Sequence, residues 1–401
     1  MAAKNGGLRP LSATATNTLG ASKHTPAAKP AGAPEPQTAA NGGLLRTLKS
    51  VFGLAKLPEQ QRLEAREQRE NANSPFIQYP LVTREQMRRM ASHAYRLDVG
   101  HASFAHHSFS ADPTVHSLSD LTDPAQLNSL LPRRRPQGSP VDTLLIKAGD
   151  DAMLVLPTVM AIADGVSGWE SKGEQASLGI WARSMVETLS RLLTEYRLSH
   201  MPHVLNARDV QQVLDDSFLH TSHLMDLQGL KGSSTLLLGM LSGATLKYIS
   251  IGDSRLWVVR GGRVIRSNTE QMAAPLCPQQ IGTQTLGRMP SEMAEVDEVA
   301  LQENDLIVMC SDGISDNLFD HELVDALHQY LAPPNSSVRV ACSKILAKCK
   351  LVAYDDNAYT PYNEKVNAPP GQAAKKASLG GKMDDMSICI ARVVANESAA
   401  K

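Results

Sequence analysis

The stretch "VMAIADG" (Val159 to Gly165) constrains the fold more than any other. Five apolar residues of strand type run straight into a carboxylate. A charge buried there without a partner costs several kcal/mol, by the usual order of magnitude. The same punctuation recurs in "KAGDDAML", "VMCSDGISDN" and "GGKMDDMSICI", and "SIGDSRLW" shares it. One Asp-Gly pair after a strand is an ordinary turn. Four such strand ends would each leave a charge to be compensated, and shared cations supply the compensation. Hard oxygen donors without histidine or thiolate point to Mg²⁺ or Mn²⁺ rather than Zn²⁺. Such a cluster, holding two ions about 3.5–4 Å apart, suits phosphate-ester hydrolysis, with water activated and phosphoryl charge stabilised.

The strands that carry these acids are short and closely linked. "DTLLIKAGDDAMLVLPTVMAIADG" predicts two or three of them. "SSTLLLGML", "ATLKYISIGDS", "RLWVVRGGRVIR", "DLIVMCSDG" and "MSICIARVV" predict the rest. The connections "SGAT" and "RGGR" are hairpin length, so the strands are antiparallel. Apolar residues repeat at three and four in Glu174 to Arg197 and in "ARDVQQVLDDSFLHTSHLM". Two further helices are expected around "HELVDALHQYL" and "SSVRVACSKILAKCK". Hairpin-linked strands with paired helices argue for an α+β layered fold rather than βαβ units. Residues 105–142 and 353–382 are expected as loop insertions by composition.

The 401 residues begin with a segment of different texture. Residues 1–43 are rich in Ala, Gly, Pro, Thr and Ser, and Glu35 is the one acid before Pro58. In "LLRTLKSVFGLAKL", Leu44, Leu48, Val51, Phe52 and Ala55 share a helical face with Arg46, Lys49 and Lys56 off it. Residues 1–90 are therefore expected as a leader and linker outside the catalytic domain, with the marks of a mitochondrial presequence. The alternative addresses are cytoplasmic and nuclear. A net charge of -1 offers no global pull toward nucleic acid, and "LPRRRPQGSP" is a solvated loop. No apolar stretch reaches the roughly 20 residues that span a bilayer. Five cysteines without a CxxC pair fit free thiols in a reducing compartment.

In order and spacing the motifs "GDDAML", "ADGVSGW", "GSSTLLLG", "IGDSRLWVVRGG", "CSDGISDN" and "GGKMDDMS" resemble the metal-dependent protein Ser/Thr phosphatases of type 2C. With "AYTPYNEKV", they look most like the branch with mitochondrial members. The resemblance covers residues 95–395 and implies an α/β/β/α sandwich, two antiparallel sheets between helices, with metals at one edge. It implies Mn²⁺ or Mg²⁺ as cofactor, two ions and room for a third, phosphoprotein substrates and a monomer.

Roles carry over as follows. Asp164 would bridge both metals and Gly165 would offer its carbonyl. Asp312 and Asp384 match further ligands, with Asp164 and Asp312 catalytic. Asp150 falls where the family usually has glutamate as ligand, and Asp151 competes with it. Asp316 would stand behind the ligands, and Asp385 stands where many members have asparagine. Asp253 serves either a tight turn or an accessory metal. Gly232, Ser233, Ser234 and Trp169 read as packing. Two departures stand out: Val166 occupies the place of a histidine, and Lys147 is the nearest cation where many members carry a phosphate-holding arginine. A small-metabolite phosphatase and a silent binding module are the rival readings.

Overall fold

The computed structural model describes residues 94–106, 114–117, 144–166, 178–200, 205–285, 287–331, 336–367 and 378–396. The leader, the "LPRRRPQGSP" loop and Trp169 lie outside them. In chain order the first strands are β1 (Tyr95–Phe104), β2 (Thr114–Ser117), β3 (Leu144–Ala148), β4 (Asp151–Val155) and β5 (Val159–Ala163). Helices α1 (Leu178–Ser199) and α2 (Ala207–Leu227) follow. Then come β6 (Ser233–Ser234), β7 (Leu236–Ser242), β8 (Thr245–Ile251), β9 (Arg255–Arg260) and β10 (Arg263–Ser267). Three short strands, β11 (Met272–Ala274), β12 (Cys277–Pro278) and β13 (Ile281–Gly282), lead to α3 (Pro290–Met293). The rest is β14 (Glu295–Ala300), β15 (Leu306–Cys310), α4 (Asp312–Ser315), α5 (Asp320–Leu331), α6 (Val338–Ala353), α7 (Pro361–Asn367) and β16 (Met386–Ala395).

Two antiparallel sheets form the body. One has the order β14-β8-β7-β5-β4-β3-β2, the other β1-β16-β15-β9-β10. Strands β4, β5 and β7 are buried along their whole length, which explains their continuous apolar runs: both faces are covered. Met153, Met160, Ile162, Leu237 and Tyr248 from the larger sheet pack against Leu256, Ile307, Met309 and Ala391 from the smaller. The opposite face of the larger sheet packs on α1 and α2, through Trp181, Met185, Leu189, Leu214 and Phe218. The outer face of the smaller sheet packs on α5 and α6, through Leu323, Leu327, Ala341, Cys342 and Ile345. The order of layers is therefore α/β/β/α.

Both expected hairpins are present. Gly261 and Gly262 between β9 and β10 have φ of 55° and 76°, the pair of positive values that a two-residue turn of this twist requires. Two segments expected as loops carry structure instead. Thr114–Ser117 pairs with β3 as an edge strand, and Pro361–Asn367 is a two-turn helix. Proline at the first helical position and Lys365 in the last turn explain α7 locally. The five cysteines are free, and all but Cys277 are buried.

Ile162 is fully buried between the sheets, paired with Met153 and Leu237. Ile162→Ala is expected to lower the unfolding free energy by about 2–5 kcal/mol, measured by urea denaturation; a loss near zero would mean the sheets do not meet there.

Candidate active site

Antiparallel pairing gathers the aspartates. Strand β4 begins at Asp151, β5 ends one residue before Asp164, and Ala152 pairs with Ala163. The two carboxylates therefore flank the same end of the larger sheet. In the smaller sheet Cys310 pairs with both Arg255 and Ile388. That brings Asp253, Asp312 and Asp384, each just off a strand end, to the corresponding edge. The edges are joined directly: Ser311 Oγ donates to Asp151 Oδ2 at 2.8 Å and accepts from Ser387 N at 3.0 Å.

Adjacent aspartates take different directions. Asp150 lies in the β3–β4 turn, and its Oδ1 accepts from Gly179 N at 3.0 Å. It caps the first turn of α1, where exposed N–H groups and the helix dipole favour an anion. Asp151 is 1% exposed and faces the acids. Asp151 is the first residue of β4 and Asp150 belongs to the turn before it, so the two side chains need not share a direction. Of the two aspartates left as competitors, Asp151 lies among the other acids, whereas Asp150 has one oxygen engaged by the Gly179 N–H. Asp385 acts as a clamp: its Oδ1 accepts from His106 N and its Oδ2 from Asp150 N, both at 2.7 Å. It fits because Gly149, at φ +61°, has no side chain to collide with that carboxylate. Lys147 lies among Arg183, Asp150 and Asp385, and burial together with Arg183 lowers its pKa.

Asp164 is held by its backbone. Its N–H donates to Thr235 Oγ1 at 3.2 Å, and Thr235 N donates back to the Asp164 carbonyl at 2.8 Å. A bridge pairs Gly165 with Ser234. Its hydrogen bonds run through Asp164 and Val166, so the Gly165 carbonyl stays outside the ladder. Gly232, Ser233 and Ser234 thus shape this entry by backbone pairing. Burial, then Asp151, Asp312, Asp384 and Asp253, raise the Asp164 pKa well above the carboxylate range. Burial and Asp385 raise Asp151 in the same sense, against the hydroxyls of Ser387 and Ser311. Burial and Asp312 push Asp253 up to about 7, with Lys382 and Lys365 pulling it back.

Two lysines missed by the sequence reading stand among these acids. Lys382 Nζ contacts Asp312 Oδ2, Asp316 Oδ2 at 3.0 Å and Asp384 Oδ2 at 2.9 Å. Lys365 Nζ contacts Asp316 Oδ1 at 2.7 Å and Glu270 at 2.9 Å. Lys382 lies inside the quoted "GGKMDDMS", so its proximity to Asp384 was readable; its meeting with Asp316 was not. Among the described residues no three acids, histidines or cysteines form a finished ion cage. The donors nevertheless suit a hard divalent ion. All are carboxylates, and Asp151 Oδ1, Asp253 Oδ1 and Asp312 Oδ1 are buried without a hydrogen-bond partner. A cavity of about 630 Å³ lies against β6, lined by Ser233, Gln279, Gln280, Gln284, Arg288 and Met293.

A family model described as protein phosphatase 2C matches residues 142–352, just over half of the chain. The chain belongs to the protein phosphatase 2C family. It is a metal-dependent protein Ser/Thr phosphatase. "Probable protein phosphatase 2C 1" of Oryza sativa subsp. japonica is 30% identical over 62% of this chain and 71% of its own length. "Probable protein phosphatase 2C 26" of Arabidopsis thaliana is 29% identical over 62% and 80%. "Protein phosphatase PTC7 homolog fig" of Drosophila grimshawi is 26% identical over 64% and 84%. Among solved structures, that of the photosystem II phosphatase PBCP covers 75% of this chain and 100% of its own, with a TM-score of 0.54 at 25% identity.

The clustered acids fix the sign of a pH effect in the metal-free protein. An unfolded aspartate titrates at about 3.9, whereas Asp253 titrates at about 7 in the fold. Between those values the folded state holds a proton that the unfolded chain has released, so stability falls as pH rises. Protein kept in chelator is expected to melt at a higher temperature near pH 5 than near pH 7.5, and Asp253→Asn should narrow the gap. A melting temperature that rises with pH across this window would contradict the assignment.

Proposed function

We propose that this phosphatase acts on phosphoserine and phosphothreonine at the cleft of Asp151, Asp164, Asp312 and Asp384, with Mn²⁺ or Mg²⁺ as its ions. The observation that carries this reading is the pair of buried, unpartnered oxygens, Asp151 Oδ1 and Asp312 Oδ1, on carboxylates close enough for their charges to act on Asp164. Asp164 and Asp312 are the principal holders, Asp384 and Asp151 complete the carboxylate set, and the Gly165 carbonyl adds a neutral oxygen. When bound, such ions lower the pKa of a water and offset charge on phosphoryl oxygens. The chain itself supplies position. Thr235 fixes the Asp164 backbone, Ser311 orients Asp151, and Asp385 keeps the β3–β4 turn against β16.

We assign residues 268–293 to a flap over the cleft; they line much of the 630 Å³ cavity. Its lining is largely uncharged and amide-rich, with Arg288 as its cation. We assign it to the peptide residues next to the phosphorylated side chain. Val166 offers no proton to the leaving oxygen, so that proton comes from elsewhere in the cleft. For the address we infer a mitochondrial one, supported by the acid-poor leader and its basic amphipathic segment.

Phosphate release from phosphopeptides should require added Mn²⁺ or Mg²⁺ and stop in chelator. Asp151→Asn and Asp164→Asn should each reduce kcat by about 10²-fold or more, in the range of a lost catalytic group, while Asp150→Asn should stay within a few-fold of wild type. Equal losses at Asp150 and Asp151 would return Asp150 to the cleft. No release from any phosphopeptide, with turnover of a small phosphorylated metabolite, would favour that rival.

Residues 1–90 fused to a reporter should carry it to mitochondria. A cytosolic or nuclear reporter would remove the address and leave the enzyme intact.

A further inference from the structure

We propose that Lys382 and Lys365 are built-in cations that hold the Asp312–Asp316 corner of the cleft in place of an accessory divalent ion. The inference rests on the carboxylate-cleft reading above. Asp316 is 3% exposed, and both of its oxygens are already engaged by ammonium groups, Oδ1 by Lys365 and Oδ2 by Lys382. Lys382 also holds Asp312 Oδ2 and Asp384 Oδ2. An ion shared by Asp312 and Asp316 would need these oxygens. The two lysines bring the same +2 charge as one such ion.

Neither ammonium is a wandering surface charge. The Lys382 backbone is held at two points by Asn317, which is 1% exposed: Lys382 N donates to Asn317 Oδ1 at 2.9 Å, and Asn317 Nδ2 donates to the Lys382 carbonyl at 2.8 Å. The residue before it, Gly381, packs so closely on Val352 and Ala353 that a Cβ would collide with backbone. The chain is therefore fixed immediately before the lysine, and its side chain enters the cleft from a set direction. Lys365 is placed by α7 and steadied by Glu270, which Arg255 meets at 3.6 Å. A tethered ammonium gives up no translational freedom on binding, unlike a free ion. It also makes directed hydrogen bonds to several carboxylates at once.

The division of oxygens is clean. Asp316 and the Oδ2 atoms of Asp312 and Asp384 belong to the lysines. Asp312 Oδ1, Asp151 Oδ1, the Asp164 carboxylate and Asp384 Oδ1, which also accepts from Asp385 N at 2.8 Å, remain for exchangeable ions. Asp253 keeps a buried bare oxygen, but both Asp316 oxygens with which it would share a further ion are held by the lysines. The corner is closed by the chain itself.

The test is metal stoichiometry in the full-length protein, stripped with chelator, dialysed and titrated with Mn²⁺, with free Mn²⁺ read by electron paramagnetic resonance. Lys382→Gln should bind one more Mn²⁺ per chain than wild type. Lys382→Arg, which keeps the charge, should match wild type, and Lys382→Gln with Asp316→Asn should lose the added ion. The same stoichiometry in Lys382→Gln and wild type would overturn the proposal. Should Lys382→Gln unfold in chelator, recovery of its melting temperature on adding Mn²⁺ supports the proposal, because an ion then does what the ammonium did. Failure of Mn²⁺ to restore it overturns the proposal. If wild type binds no Mn²⁺, or Asp164→Asn binds as much as wild type, the cleft reading itself has failed, and that outcome is distinct from the others.

Discussion

Repulsion among Asp151, Asp164, Asp253, Asp312 and Asp384 is the constraint on which the rest of this structure depends. Asp151, Asp164 and Asp253 lie where burial and neighbouring carboxylates disfavour their charge. A small or loosely packed domain could not hold such a group together. Here the strands beneath are buried on both faces, and the apolar core between the sheets offsets what the acids cost. The sandwich also supplies geometry. Antiparallel strands alternate in direction, so starts and ends of neighbours fall at the same edge, and acids far apart in sequence converge without long loops.

Much of this was legible in the sequence, and the failures have physical causes. Strand runs ending on Asp164 and Asp312 stood out because two covered faces demand unbroken apolar residues and the charge marks where cover stops. The hairpins at Gly243 and at Gly261–Gly262 were legible because positive φ needs glycine. The choice between Asp150 and Asp151 was not legible. It depends on which face of β4 meets the smaller sheet, a matter of register that two adjacent identical residues cannot reveal. Lys382 and Lys365 escaped for another reason: a lysine in a polar stretch looks solvated until its acid partners, tens of residues away, are brought to it. Pro361–Asn367 hid in a segment whose Gly, Pro and Lys content reads as loop, and only contact with Asp316 and Glu270 gives that helix a purpose.

The site is thus made of two kinds of residue. Some present oxygen and are held by the regular ladders, as Asp151 and Asp164 are. Others bind the two sheets into one frame, as Asp385 does from β16 to the β3–β4 turn and Ser311 does from β15 to β4. Losing one of the second kind would leave every donor present and misplace it, and tolerances in such sites are a fraction of an ångström.

The position of β16 has a consequence for how the molecule comes into being. It is the last strand in sequence among those described, yet it lies inside the smaller sheet between β1 and β15. Asp384, Asp385 and Lys382 arrive with it. During synthesis β1 waits, without its partner, until almost 300 further residues have emerged, and pairings of such sequence separation form slowly. The larger sheet can assemble from neighbours in sequence while the acid cleft is still missing one wall. A nascent chain therefore has half a sandwich and no enzyme, and activity begins only when its final strand slides into the gap.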